Sequence, residues 1–91
     1  MRTILITYDL VGTSETSDDY RRLIDHIKSY GTYAKVALST WIVRTDRTAV
    51  QVRDSCLAYM DGNDRLFVAV LTGVAAWHNT ICTNDWLLDN L

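Results

Sequence analysis

The chain has 91 residues and a mass of 10.4 kDa, which is room for one small domain. Hydrophobic residues make up 48% of it and there is no proline, so disordered, collagen-like and low-complexity classes are excluded. The formal net charge of −2 argues against a protein that coats nucleic acid by bulk electrostatics. It leaves open a local basic patch or a metal-assisted nuclease.

The N-terminus enters a strand-like segment directly, without a charged region followed by an apolar stretch. No apolar run is long enough to cross a bilayer. We therefore expect a cytoplasmic protein with no membrane segment. In that compartment Cys56 and Cys82 are expected to be reduced thiols.

The first half of the chain predicts a strand, a polar loop and a helix. Residues 3–10 alternate, with one face formed by Ile4, Ile6 and Tyr8 and the other by Leu5, Thr7 and Asp9. A polar loop follows over residues 12–17. Ser17 is a good N-cap for a helix over residues 18–30, whose apolar stripe is Tyr20, Leu23, Ile24 and Ile27.

Residues 33–45 predict two short strands with a break near Leu38 and Ser39; one long bent strand is the alternative. Thr48 and Gln51 form a capping box that starts a second helix, which closes at residues 61–62. The run Arg65–Leu71 is a strand that is apolar on both sides, a pattern typical of a strand covered on both faces.

The tail after this strand has a weaker pattern. Asn84 could cap a short terminal helix over residues 85–90, which carries Trp86, Leu87 and, just beyond it, Leu91. These side chains are too apolar for a free end. We expect residues 74–91 to cover the sheet or a partner subunit.

The element order is strand, helix, strand, strand, helix, strand and tail. The most economical topology for this order is a single α+β domain over residues 1–91 with the ferredoxin-like βαββαβ fold. Its four antiparallel strands lie in the order 4-1-3-2, with both helices on one face and a short C-terminal extension. Because the other face lacks helices, we expect a homodimer with an isologous interface.

Asp9 is the strongest candidate for chemistry. It ends a central strand, and the predicted topology brings Ser39, Thr40 and Asp64 to the same edge of the sheet. If two sheets pack through their bare faces, the two copies of Asp9 meet near the twofold axis. Paired carboxylates are a natural site for Mg²⁺ or Mn²⁺. The alternative is that Asp9 caps a turn after the strand.

Other candidates carry weaker signals. Arg44 and Arg47 flank the end of the third strand and could contact phosphate, or could form a solvated face. His26 and His78 match no metal-ligand spacing. The chain has no glycine-rich phosphate loop, no CxxC motif and no Ser-His-Asp order.

Five segments together resemble a known family: ILITYDL, YRRLIDHIKSYG, LSTWIVRTD, DRLFVAVLTG and WLLDNL. The chain resembles the SinR-like branch of the Cas-two and VapD superfamily of small ferredoxin-like proteins, and the resemblance covers nearly its whole length. The most specific parts are the strand that ends in Tyr8 and Asp9, and the segment Ser39, Thr40 and Trp41.

The resemblance implies a homodimer in which Asp9 binds a divalent metal at the dimer cleft, with Ser39 at the position of the family's serine. Cas-two proteins include metal-dependent ribonucleases and deoxyribonucleases, and non-catalytic partners in CRISPR spacer integration. VapD relatives look like ribonuclease toxins. The acidic charge balance departs from a DNA-integration subunit.

Two functional hypotheses follow. The first is a Mg²⁺-dependent endonuclease acting on RNA or DNA, in which Asp9 holds the metal and Ser39 supports the site. The second is a non-catalytic dimeric interaction module that serves an operon-encoded partner of the CRISPR or toxin–antitoxin type. The charge around Asp9 discriminates between them, because a nuclease needs a phosphate-sized cleft with arginine or lysine on its rim.

Overall fold

The computed structural model describes residues 1–12 and 17–91, so most of the predicted polar loop (residues 13–16) lies outside the described residues. The elements follow the predicted order of strands and helices. They are β1 (Arg2–Asp9), α1 (Asp18–Lys28), β2 (Thr32–Ala37), β3 (Thr40–Thr45), α2 (Ala49–Leu57), β4 (Arg65–Leu71) and α3 (Asn84–Asn90). No helix in this part of the chain combines the length and the apolar character needed to cross a membrane.

The four strands form one antiparallel sheet in the order β2-β3-β1-β4, which is the predicted order read from the other edge. The ferredoxin-like α+β arrangement is therefore confirmed. β1 lies at the centre, between β3 and β4. β2 and β4 are the two edge strands.

The helix-covered face of the sheet carries the main core. On β1 the buried residues are Ile4, Ile6 and Tyr8, as the alternation predicts. They belong to one buried cluster with Leu23, Ile27, Trp41, Val43, Val52 and Cys56, among others. Inside this cluster Trp41 Nε1 donates a hydrogen bond of 3.1 Å to the hydroxyl of Tyr8, so the polar atoms of two large aromatic side chains are paired.

A side-chain cap marks the start of each of the helices α1 and α2. The hydroxyl of Ser17 accepts a hydrogen bond from the backbone N–H of Tyr20 at the start of α1. Thr48 and Gln51 form the complete capping box at the start of α2, which confirms that prediction. Both helices end earlier than predicted, at Lys28 and Leu57.

The hairpin between β2 and β3 turns at Leu38 and Ser39, so the alternative of one long bent strand is wrong. Ser39 has φ +58°, in the left-handed region of backbone conformation that residues other than glycine rarely adopt. Ala37 and Thr40 pair across the turn, and the register shifts between Lys35 and Ala37. A serine in this conformation gives no sequence signal like that of an Asn-Gly turn.

The tail crosses the second face of the sheet, opposite the helices α1 and α2. The N–H of Ile81 donates to the carbonyl of Val36 on β2 at 2.9 Å. α3 then returns, and the carbonyl of Asn90 accepts from the hydroxyl of Thr3 on β1, also at 2.9 Å. Ile42 lies on this face by register with Leu5 and is only 4% exposed. The tail thus covers part of the second face.

The cap of α3 differs from the expectation. Thr83, one residue earlier than Asn84, accepts the hydrogen bond from the N–H of Trp86. Asn84 is the first helical residue, and its side-chain oxygen accepts from Trp77 Nε1 at 3.0 Å. Both residue types are good N-caps, so the sequence could not decide between neighbours.

Leu87 anchors the tail, since it is 2% exposed while its neighbour Leu88 is 68% exposed. We expect Leu87→Ala to lower the free energy of unfolding by about 3 kcal/mol, because it removes buried methyl groups and leaves a cavity. Leu88→Ala is the matched control and should change it by less than about 0.5 kcal/mol. Urea denaturation measures both; equal effects would mean that the tail is not docked.

A polar contact joins α1 to α2. His26 Nε2 and the hydroxyl of Tyr30 both lie within hydrogen-bonding distance of Ser55 Oγ, at 2.9 and 2.8 Å. The ring of Tyr59 stacks on that of His26, with 4.9 Å between centroids. Burial lowers the pKa of His26, and the positive charge of Arg47 lowers it further.

This contact predicts a pH dependence of stability. Because the pKa of His26 is lower in the folded state, the unfolded chain takes up the proton first as the pH falls. The stabilisation is therefore complete above the unfolded pKa of about 6.5 and is lost as the pH falls through the folded pKa. Denaturation between pH 7.5 and 5.5 should show this slope in the wild type and in His78→Gln. His26→Gln should flatten it, and an unchanged slope would contradict the assignment.

Candidate functional site

Asp9 stands at the end of β1 on the second face of the sheet, with Arg65 as its cross-strand partner at the start of β4. Asp9 Oδ2 accepts a hydrogen bond of 2.9 Å from Arg65 Nη1. The side chains are 60% and 72% exposed, respectively. An ion pair this exposed contributes about 0–1 kcal/mol, so a charged ligand could replace either partner at small cost.

The pair borders an open groove of about 220 Å³ at this corner of the sheet. Its lining consists of Thr7, Tyr8, Asp9, Arg65, Leu66 and Phe67. The hydroxyl oxygens of Thr7 and Thr40 lie 3.1 Å apart on the same face as Asp9. Phe67, also on this face, is 62% exposed. The groove thus combines a carboxylate, a guanidinium, a threonine hydroxyl and an open aromatic ring.

The side chain of Ser39 is not brought into this groove. Its carbonyl accepts the N–H of Tyr8 at 3.1 Å, so Ser39 stands opposite Tyr8 in the register of β1 and β3. Its side chain therefore belongs to the helix-covered face, where it lines a separate cavity of about 40 Å³ with Tyr8 and Tyr20. Thr40, the next residue, lies on the face of Asp9.

Asp64 is also separate from Asp9, although both come near the same edge of the sheet. Its two carboxylate oxygens accept the N–H groups of Val11 at 2.9 Å and Asp61 at 2.7 Å. It therefore ties two loop segments together. Asp64 lines a different groove of about 180 Å³, which it shares with Asp19 and Arg22 among others.

The predicted phosphate contacts, Arg44 and Arg47, lie at the other end of the sheet. Arg44 pairs with Thr3, six positions from Asp9 on β1, which corresponds to roughly 20 Å. Arg47 is exposed beyond the end of β3, where its charge acts on His26. The cation beside Asp9 is Arg65, which the sequence analysis did not single out. The position of Arg65 in the sequence could have indicated this contact, because Arg65 begins the strand that runs antiparallel to the one ending in Asp9.

As a metal site, this corner of the sheet would depend on Asp9 as its single protein ligand. Among the described residues no group of three or more His, Cys, Asp or Glu side chains is placed to hold a metal ion. Mg²⁺ commonly binds through one or two carboxylates together with waters and substrate phosphates. Among the described residues that line this groove, Asp9 supplies the one carboxylate, which is the lower end of that number.

The cysteines do not add a second centre of chemistry. Both are free thiols in the structure. Cys56 is buried among the core residues, and burial raises the pKa of its thiol to about 11. It is therefore protonated at neutral pH and is a core residue.

A search against models of known protein families finds no match to this chain. The resemblance described above therefore rests on the chain's own segments alone.

Proposed function

We propose that this protein is a cytoplasmic homodimer of the Cas-two and VapD type, and that the groove at Asp9 and Arg65 binds and cleaves a phosphodiester of RNA or DNA with Mg²⁺ or Mn²⁺. The observation that supports this is the exposed contact of 2.9 Å between a carboxylate and a guanidinium inside an open groove. A guanidinium is a common ligand of phosphate, and a carboxylate is a common ligand of a hard cation.

The proposal starts with an exchange of partners. Arg65 turns from the carboxylate of Asp9 to the phosphate, where its guanidinium can donate two parallel hydrogen bonds. The released carboxylate of Asp9 is then available as a metal ligand. Bound there, a divalent metal would polarise the phosphodiester and activate a water molecule.

The other groups of the groove orient the substrate. Whichever of the Thr7 and Thr40 hydroxyls accepts their mutual hydrogen bond can donate its own proton to a phosphate or sugar oxygen beside Asp9. The exposed ring of Phe67 offers a stacking surface for one base of a single strand. Ser39 has no direct part in the proposed site, since its side chain lies on the helix-covered face of the sheet.

Asp9→Asn tests the metal-ligand role, because asparagine keeps the size and removes the charge that the cation needs. Cleavage of single-stranded RNA or DNA, assayed at low ionic strength with Mg²⁺ or Mn²⁺, should fall by about 100-fold or more. Asp46→Asn is the matched control, since this carboxylate is exposed at the other end of the sheet. Ser39→Ala should stay close to the wild type.

Arg65→Gln tests the phosphate contact separately. It should weaken substrate binding by about 10-fold and reduce the salt dependence of binding by roughly one phosphate contact.

Cleavage that survives both a chelator and Asp9→Asn would contradict the proposed mechanism and would indicate a contaminant or a metal-free site.

The second candidate is the non-catalytic dimeric interaction module with an operon-encoded partner. The observation that favours it is a set of apolar side chains that stand exposed to solvent. Exposed apolar side chains such as Phe67, Val70 and Val50 add a surface suited to protein contacts. Absence of cleavage with either metal, in protein that remains dimeric, would support this candidate over the nuclease.

A further inference from the structure

Asp9 lies where the sheet supports β1 least. The last contact of β1 with the β2–β3 hairpin is the N–H of Tyr8, which donates to the carbonyl of Ser39. At Asp9 the described part of the chain provides a paired strand on one side alone, and Arg65 is its partner there. Local opening of a structure costs least where such contacts are few. The spacing between the carboxylate of Asp9 and the guanidinium of Arg65 therefore depends on what holds the residues beside them.

Two side chains hold the backbone directly beyond the end of β1. The hydroxyl of Tyr20 on α1 accepts the N–H of Leu10 at 3.2 Å. Asp64 Oδ1 accepts the N–H of Val11 at 2.9 Å. The two contacts differ in what they join, because Tyr20 ties this segment to α1, whereas Asp64 is the residue before Arg65, the first residue of β4. Of these two contacts, that of Asp64 fixes the end of β1 relative to the start of β4.

Asp64 is itself held in a closed turn. Its Oδ2 accepts the N–H of Asp61 at 2.7 Å, and its own N–H donates to the carbonyl of Asp61 at 3.1 Å. Hydrogen bonds from backbone N–H groups to an ionised carboxylate are shorter and stronger than those to a neutral acceptor. The carboxylate is therefore fixed against the backbone that leads into Arg65, while its other oxygen binds the segment that follows Asp9.

We propose that Asp64 is a positioning residue of the groove at Asp9 and Arg65. Its carboxylate fastens the segment after Asp9 to the turn before Arg65, and this clamp sets the distance between the two groups. The inference rests on the proposed function for its effect on cleavage, in which a metal at Asp9 and a phosphate at Arg65 have to meet. A misplacement of about 1 Å between reacting groups can slow a reaction by about 100-fold. Asp64 lines a separate groove, so it acts through the backbone and not by touching the substrate.

The first test follows the ion pair by NMR and needs no cleavage. In the wild type, Asp9→Asn should shift the side-chain nitrogen signals of Arg65, because it removes the carboxylate that accepts from Nη1. In an Asp64→Ala background the same substitution should shift these signals at least about threefold less, because the two groups are no longer held together. Asp61→Ala is the matched control, since it removes a carboxylate from the same groove but keeps the backbone N–H that Asp64 binds. It should leave the shift unchanged.

The second test separates kcat from KM in the cleavage of a single-stranded oligonucleotide with Mn²⁺. Asp64→Ala keeps both Asp9 and Arg65, so KM should change by less than about twofold. Its kcat should fall by about 10-fold, because the metal and the phosphate are bound but poorly aligned. Asp61→Ala should match the wild type in both constants.

Asp64→Asn provides a milder change at the same position. Asparagine keeps one acceptor oxygen and places an N–H donor where the second acceptor was, so one of the two backbone contacts is lost. Both the NMR response and kcat should lie between those of the wild type and Asp64→Ala. Circular dichroism establishes that each variant is folded, and Asp64→Asn carries the same two comparisons if Asp64→Ala does not fold.

The outcomes separate this inference from the proposed function. An Arg65 signal that responds to Asp9→Asn equally with and without Asp64, or in neither case, would overturn the positioning role whether or not the protein cleaves nucleic acid. An undiminished kcat in Asp64→Ala would overturn it as well. A wild type that cleaves nothing would contradict the proposed function, and the NMR comparison would then decide whether Asp64 holds the pair.

Discussion

The two-residue alternation of β1 is the constraint on which the rest of the structure depends. Ile4 and Ile6 exclude water beneath the two helices, while residues between them face the opposite side of the sheet. On that side Thr3 receives the end of the tail and Asp9 receives Arg65. A slip by one residue would turn the buried isoleucines to solvent and carry Asp9 into the core, so burial of the core also fixes the orientation of the site.

The tail divides the second face into a covered end and an open end. Its two hydrogen bonds to the sheet, at Val36 and Thr3, hold it over the part of the face that includes Ile42. α3 has seven residues, about 10 Å of helix, and does not reach the corner where Asp9 and Phe67 stand exposed. The same covering that completes the small core therefore defines the open groove. It also removes much of the bare face on which the expectation of a face-to-face dimer was based.

The predictable features were those set by neighbouring residues. Alternation located β1, and reciprocal side-chain bonds at Thr48 and Gln51 marked the start of α2, so the element order and the sheet order followed. The features that could not be predicted are those that distant segments of the chain decide. Whether Ser39 or Thr40 faces Asp9 depends on the β1–β3 register, and the choice of Arg65 as its partner depends on the β1–β4 register. Neither register has a local signature in a single sequence.

The charges inside the groove explain why the proposed chemistry would need a metal. The net charge of the chain does not explain it. Asp9 and Arg65 neutralise each other, so the groove by itself offers a phosphodiester little attraction. Other acidic side chains, such as Asp61 and Asp64, line a different groove. A divalent cation at Asp9 would turn the neutral pair into a site of net charge about +2, opposite to one phosphate. In this arrangement the metal and the substrate each make the binding of the other more favourable, and an acidic protein needs no basic surface to hold a single phosphodiester.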